Sequence, residues 1–202
     1  MYQNLKHYSK AIYLYIALSV FVFLILPDSS VATVTATDES GKISEFTIEY
    51  LYDENNSITI DEIDETTFDQ EISNQFALGY RSGAAWFKIS IDNQSQGRQF
   101  VLYFTEPFWT TLDLYANQDG QWLLDEKGLV VPLEARSITD ANPAFSLQIA
   151  PGQTATYYVR GTTVASHIGE FQLYTHEEYY RSGRFNIITA IKHVFASLYN
   201  DR

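Results

Sequence analysis

The chain has 202 residues, no cysteine and a formal net charge of −12. This length suffices for one domain of roughly 150 residues with extensions, and the lack of cysteine excludes disulfides, zinc–thiolate sites and thiol nucleophiles. The negative charge argues against nucleic acid or an anionic membrane surface as a partner. Aromatic residues, mostly Tyr and Phe, make up 15% of the chain and favour a β-rich fold.

The N-terminus predicts an export signal. A basic stretch precedes an almost continuously apolar run, Ala11 to Leu26, which is shorter than the ~20 residues of an ordinary membrane-spanning helix. Two small-residue cleavage sites follow, one at residues 34–36 and the other at residues 30–32. We assign residues 1–36 to a signal peptide, with an uncleaved membrane anchor as the alternative. Both interpretations place the rest of the chain in the periplasm.

Strict alternation of apolar and polar residues recurs along residues 37–180 and predicts short strands. A Thr59–Glu62 capping box predicts a short helix through Ile63, and Asn117–Gly120 predicts a hairpin turn. These signals together indicate an all-β, antiparallel sandwich of about eight strands with one minor helix. The predicted strands lie around residues 46–52, 86–92, 100–104, 112–116, 122–124, 145–149, 155–159 and 171–173.

Trp86 is the unusual residue of the most regular strand. Phe87, Ile89 and Ile91 share one face of that strand, whereas Trp86 has the parity of its polar face. We interpret Trp86 as part of a second covered face rather than as a binding residue.

The last segment has a different pattern. Between Arg184 and Tyr199 the apolar residues recur at intervals of three and four, which predicts an amphipathic helix within residues 181–202. Lys192 and His193 interrupt the apolar run, and the segment is too short and too charged to span a bilayer.

Four segments in order carry a family likeness. They are Gly79–Asn93 with its Trp and alternating strand, Glu106–Tyr115, Arg136 with the strand at 145–149, and Pro151–Arg160 with its Pro-Gly turn and final Arg. Together they resemble the type 2 extracellular sensor domain of bacterial seven-transmembrane receptors with diverse intracellular signalling modules (7TMR-DISM). The likeness extends from about Ile43 to Tyr179.

The resemblance implies a jelly-roll sandwich similar to carbohydrate-binding domains. It also implies the sensing of small molecules outside the inner membrane, as the input module of a membrane signalling receptor. In that family the first membrane helix would begin near residues 187–200, so the truncated start of such a helix is the alternative to an amphipathic helix for residues 181–202. We therefore expect a sensor without its transmitter, with a truncated remnant as the alternative.

Catalytic chemistry is not expected. The sequence has four scattered histidines and no nucleophile-elbow, Walker or Rossmann pattern. Asp113 and Glu106 are the carboxylates that a glycosidase acid/base pair would use, and we favour structural or ligand-binding roles for them. The acidic residues of 53–64 lack the Gly-punctuated loop of a Ca²⁺ site and indicate a solvated face. We therefore expect no enzyme, cofactor or metal.

Binding is the favoured function, because flat aromatic rings and forked polar groups recognise sugars. Asp113 and Tyr115 share one strand face, and Tyr158 and Arg160 share another, so a polar-aromatic patch forms if the two strands are neighbours. Alternatively, the arginines pair with carboxylates such as Asp113 and only staple the sandwich. The rival hypothesis is a protein-interaction module that docks a partner or self-associates through residues 184–199. The candidate ligand-binding residues are Trp109, Asp113, Tyr115, Arg136, Tyr158 and Arg160.

Overall fold

The computed structural model describes residues 32–182 and shows twelve strands in two sheets. The strands are β1 Thr33–Ala36, β2 Lys42–Ile43, β3 Thr47–Asp53, β4 Gln70–Ser73, β5 Gln75–Tyr80, β6 Ala84–Asn93, β7 Gln99–Phe104, β8 Thr111–Gln118, β9 Gln121–Lys127, β10 Ala144–Gln148, β11 Thr154–Thr162 and β12 Ser166–Thr175. Two short 3-10 helices, Ile60–Glu65 and Leu133–Ala135, and one α-helix, α1 His176–Arg181, complete the described elements. The predicted apolar signal segment and the C-terminal amphipathic pattern lie outside the described residues.

The two sheets form a sandwich. The larger has the order β4-β3-β6-β11-β8-β9, with β1 running parallel to β6 next to β3. The smaller has the order β10-β7-β12, and both β2 and β5 pair with β12. Consecutive strands β6, β7 and β8 lie in alternate sheets, as do β10, β11 and β12, which is the jelly-roll manner of connection. The predicted all-β sandwich is therefore confirmed.

The core fills the space between the sheets with residues of the predicted alternation. Phe87, Ile89 and Ile91 of β6 are buried there. A group of aromatic rings occupies the centre, and neighbouring ring centroids are 4.7 to 6.4 Å apart. Rings at such distances add favourable edge and offset contacts to the burial itself. The members of this group are Phe76, Phe87, Phe104, Trp109 and Phe171.

The predicted turn and cap are confirmed. Asp119 and Gly120 at the hairpin have φ of 54° and 82°, the left-handed values that a two-residue hairpin of this kind requires. At the predicted capping box, the Thr59 amide donates to Glu62 Oε2 at 3.2 Å. The element it opens is a 3-10 helix rather than an α-helix.

The segment between β3 and β4 forms a second covered layer. The Asp53 carboxylate accepts hydrogen bonds from the amides of Ser57 and Ile58 at 3.0 and 2.9 Å, which fixes the start of this segment. Ile63 then packs with Trp86 and Tyr158 against the larger sheet, and Trp86 has no exposed surface. The interpretation of Trp86 as part of a second covered face is confirmed.

The helices of the described chain are short. Within residues 32–182, no helix combines the length and the apolar character that crossing a membrane requires.

Candidate functional site

The outer face of the larger sheet, which points away from the core, brings four predicted residues together. Strands β11 and β8 are neighbours, as the predicted patch requires. Arg160 lies directly opposite Asp113, and Tyr158 lies directly opposite Tyr115. Residues directly opposite on adjacent strands point to the same side with Cβ atoms about 5 Å apart. The two pairs therefore form one continuous patch.

Charge is unbalanced along the first row of the outer face, which runs from Arg160 on β11 through Asp113 on β8 to Glu126 on β9. The Arg160 guanidinium donates to Asn56 Oδ1 and lies 5.7 Å from the centre of the Trp86 ring, so it is held toward β6. Among the hydrogen bonds and ion pairs within residues 32–182, none involves the Asp113 carboxylate. Two carboxylates thus face each other across β8 and β9, an arrangement that is unfavourable in itself.

The pKa of Asp113 reflects this environment. The pKa of this carboxyl is raised from 3.8 to about 6, first by burial and then by the Glu126 charge, while the Arg160 charge lowers it. Burial, followed by the Asp113 charge, also raises the pKa of the Tyr115 hydroxyl. The fold therefore disfavours the ionised form of Asp113.

Asp113→Asn is expected to stabilise the domain at neutral and alkaline pH. Because the folded pKa is about 6 and the ordinary value is 3.8, the stability that the protonated form carries is present below pH ~4 and is lost as the pH rises through 6. A pKa shift of one unit corresponds to about 1.4 kcal/mol, and partial solvent exposure reduces the effect to about 1–2 kcal/mol at pH 8. Urea unfolding of both proteins between pH 4 and 8 measures the difference.

The matched control is Asp69→Asn, which neutralises an exposed loop carboxylate. It should change the unfolding free energy by less than about 0.5 kcal/mol. A constant difference between Asp113→Asn and the original protein from pH 4 to 8 would contradict the prediction.

The second row supplies aromatic surface. The Tyr158 hydroxyl donates to Asp64 Oδ1 at 3.0 Å, and its ring is buried between Phe68 and Trp122, 5.9 and 5.7 Å away. Tyr115 is half-buried, with its ring 5.8 Å from that of Trp86. The Tyr158 ring is therefore covered by its neighbours, and the rings of Tyr115 and Trp122 are the accessible ones.

A groove adjoins this patch. Its volume is about 1110 Å³. Trp122, Thr156 and Tyr158 line it from the outer face. Gln148 of β10 and Tyr157 of β11, whose hydroxyl donates to the Gln148 carbonyl at 3.2 Å, also line it. Tyr158 belongs to both the patch and the groove, and its neighbour Trp122 lines the groove beside it.

Two predicted residues lie elsewhere. Trp109 is 2% exposed in the core, and its Nε1 donates to the Ile168 carbonyl at 3.1 Å. Arg136 donates to the carbonyls of Gly128 at 2.7 Å and Asp140 at 3.0 Å, so it holds the loop after β9 rather than pairing with a carboxylate. Neither residue joins the outer face. Each belongs to a loop, and the sequence pattern does not specify the direction in which a loop residue points.

Glu126 and Asn56 are members of the site that the sequence analysis did not identify. The predicted hairpin contains the signal for Glu126, since a two-residue turn at Asp119 and Gly120 fixes the register that places Glu126 opposite Asp113. No local pattern indicates Asn56, which reaches Arg160 through the loop after β3.

Comparison with known proteins identifies the domain. The family model described as 7TMR-DISM extracellular 2 matches residues 46–175, which are more than half of the chain. The chain belongs to the 7TMR-DISM extracellular 2 family. No curated protein matches it.

The 7TMR-DISM extracellular 2 match confirms the predicted resemblance. It extends from just before β3 to the end of β12, so it contains Asp113, Tyr115, Tyr158 and Arg160 but not β1 or β2. As its description states, this type of domain is the extracellular part of a receptor. The sandwich is accordingly a sensor-type domain located outside the cytoplasm.

Proposed function

We propose that this domain is the periplasmic input module of a signalling receptor and binds a small polar ligand of the carbohydrate class on its outer face. The observation that carries the proposal is the register of β8 and β11, which joins Asp113 to Arg160 and Tyr115 to Tyr158 in one patch. The receptor family supports the sensing role.

The chemistry of the patch suits a ligand that donates hydrogen bonds and has one apolar face. Asp113 and Glu126 supply carboxylate oxygens, which accept bonds from hydroxyl or amino groups. The rings of Tyr115 and Trp122 offer flat apolar surface for the C–H face of a sugar. A donor placed between the two carboxylates would also relieve their mutual repulsion. Neutral sugars and amino sugars both meet these requirements.

Binding can reach the covering segment through two contacts. The Arg160 guanidinium donates to Asn56, and the Tyr158 hydroxyl donates to Asp64. The outer face is therefore bonded at two points to residues 54–69, the segment between β3 and β4. A ligand that engages Arg160 competes with Asn56 for its guanidinium. The bound and free states then differ in how firmly residues 54–69 are held, which is the differential interaction that a sensor requires.

The double variant Asp113→Ala/Arg160→Ala is expected to weaken ligand binding at least about ten-fold, or ~1.4 kcal/mol, because it removes both charged groups of the first row. Isothermal titration calorimetry with a panel of neutral mono- and disaccharides and amino sugars measures the affinity. The matched control is Glu178→Ala/Arg181→Ala, which removes an ion pair on α1 away from the outer face. The control should bind as the original protein does.

Two outcomes would contradict this site. Unchanged affinity in a folded double variant would place the ligand elsewhere, and loss of the folded state would show that the two residues only staple the sandwich. Tyr115→Ala and Trp122→Ala test the aromatic surface independently of charge.

A protein-interaction module is the second candidate, and one observation favours it. Leu123 and Leu124 are each 51% exposed on β9, which pairs only with β8 within the described part of the chain. An exposed apolar edge strand is a template for strand addition by another chain. Sedimentation of the full chain, together with the sugar titrations, separates the two candidate functions. Self-association without binding to any sugar of the panel would support the protein-interaction module.

A further inference from the structure

We infer that export processing cuts the chain between Ala32 and Thr33, so that β1 remains part of the mature domain. The contacts of β1 and the small residues before it both favour this cut. It does not depend on the proposed ligand site.

Strand β1 is an integral part of the larger sheet. It pairs in parallel with the second half of β6, from Thr33 opposite Ser90 to Ala36 opposite Asn93. Val34 and Ala36 point into the main core and are 4% and 1% exposed. Removal of β1 would therefore uncover both a row of β6 backbone groups and a part of the core.

The residues after β1 continue this integration. The Gln94 amide donates to the Ala36 carbonyl at 2.8 Å, and the Gln96 amide donates to Asp38 Oδ1 at 2.7 Å. The Thr175 amide donates to the Gly41 carbonyl at 3.0 Å, and β2 then pairs with β12. A new terminus at Thr37 would fall within this connected stretch and break the contact that joins Ala36 to Gln94.

The sequence before β1 suits the earlier cut. Leader peptidases recognise small residues at the first and third positions before the cleaved bond. Ser30 and Ala32 are both small, whereas the later site has the larger, β-branched Val34 at its third position. Ala32 also precedes β1 and is partly exposed, and Thr33 is exposed. The bond between them therefore lies at the boundary where the sheet begins.

The experiment is export of the full chain in a Gram-negative host, followed by N-terminal sequencing and intact-mass measurement of the periplasmic protein. The expected N-terminus is Thr33. An N-terminus at Thr37, with the mass lower by the four residues of β1, would overturn the inference. Recovery of the uncleaved chain would overturn it as well.

A pair of variants tests the same bond from the other side. Ala32→Tyr places a large side chain at the first position before the cut, so loss of the processed form is expected in pulse-chase labelling. Val31→Tyr is the matched control, because the intervening position is not read, and it should be processed normally. Processing of Ala32→Tyr at the original rate would exclude this bond. Sugar binding by the exported protein is a separate measurement, so failure of the proposed function would leave this result unaffected.

Discussion

Asp125→Ala is expected to destabilise the domain by about 2–4 kcal/mol, because it leaves a buried ammonium group without its counter-charge. The Lys127 side chain on β9 is fully buried. Its Nζ pairs with the Asp125 carboxylate, donates to Ser137 Oγ at 2.9 Å and lies 5.4 Å from the centre of the Phe145 ring. Burial lowers the pKa of Lys127, and Asp125 opposes this effect. Urea unfolding at pH 7 measures the loss.

The double variant Asp125→Ala/Lys127→Met separates charge from packing. Methionine keeps an unbranched apolar chain of similar length and needs no counter-ion, so the double variant should recover most of the lost stability. Asp69→Ala, at an exposed loop carboxylate, is the control and should change the unfolding free energy by less than about 0.5 kcal/mol. A double variant as unstable as Asp125→Ala would show that Asp125 stabilises the domain other than through Lys127.

Gly169→Ala is the second large effect, expected at about 3 kcal/mol through overpacking. A Cβ atom at Gly169 would lie 2.2 Å from Cζ and 2.5 Å from Cε2 of Phe104. Phe104 is fully buried, and its ring centroid lies 4.7 Å from that of Phe171 and 6.1 Å from that of Phe76. The ring cannot move aside without disturbing the central aromatic group. The free energy of unfolding in urea is the measurement.

Gly97→Ala is the matched control for this glycine. Its nearest contact would be Ser95 Oγ at 3.6 Å, an ordinary van der Waals distance, so the change in stability should stay within about 0.5 kcal/mol. Combining Gly169→Ala with Phe104→Leu shortens the obstructing side chain and should cost less than the sum of the two single changes. Strict additivity would argue against the steric explanation.

The strands that the sequence predicts are those with a clear alternation and a buried face. β6 is the best example. Its alternate residues Phe87, Ile89 and Ile91 are all apolar and buried, and its Trp86 lies beneath a second layer. β2 is too short to show a period, and β4 has only one partly buried residue. β1 lies within residues assigned to the signal peptide, so its Val-Thr-Ala pattern indicated a cleavage site rather than a strand. These strands form because they pair with strands distant in the sequence, and their local sequences do not specify that pairing.

The candidate site shows the same division. The facing of Asp113 with Tyr115 and of Tyr158 with Arg160 follows from the two-residue period of a strand. The contact between these pairs does not follow from it, since β9 and β10 separate β8 from β11 along the chain. The family likeness implied a jelly-roll sandwich, and the structure supplies both the strand order and the register. Trp109 shows the limit, because a loop residue can turn inward as readily as outward.

The pairing of β1 with β6 and of β2 with β12 has a consequence for the order of folding. Both N-terminal strands find their partners far along the chain, and β2 must wait for β12 near the end of the domain. Contacts of such long sequence separation form late and slow the overall reaction. The sandwich therefore cannot be completed until nearly the whole domain, up to β12, is available.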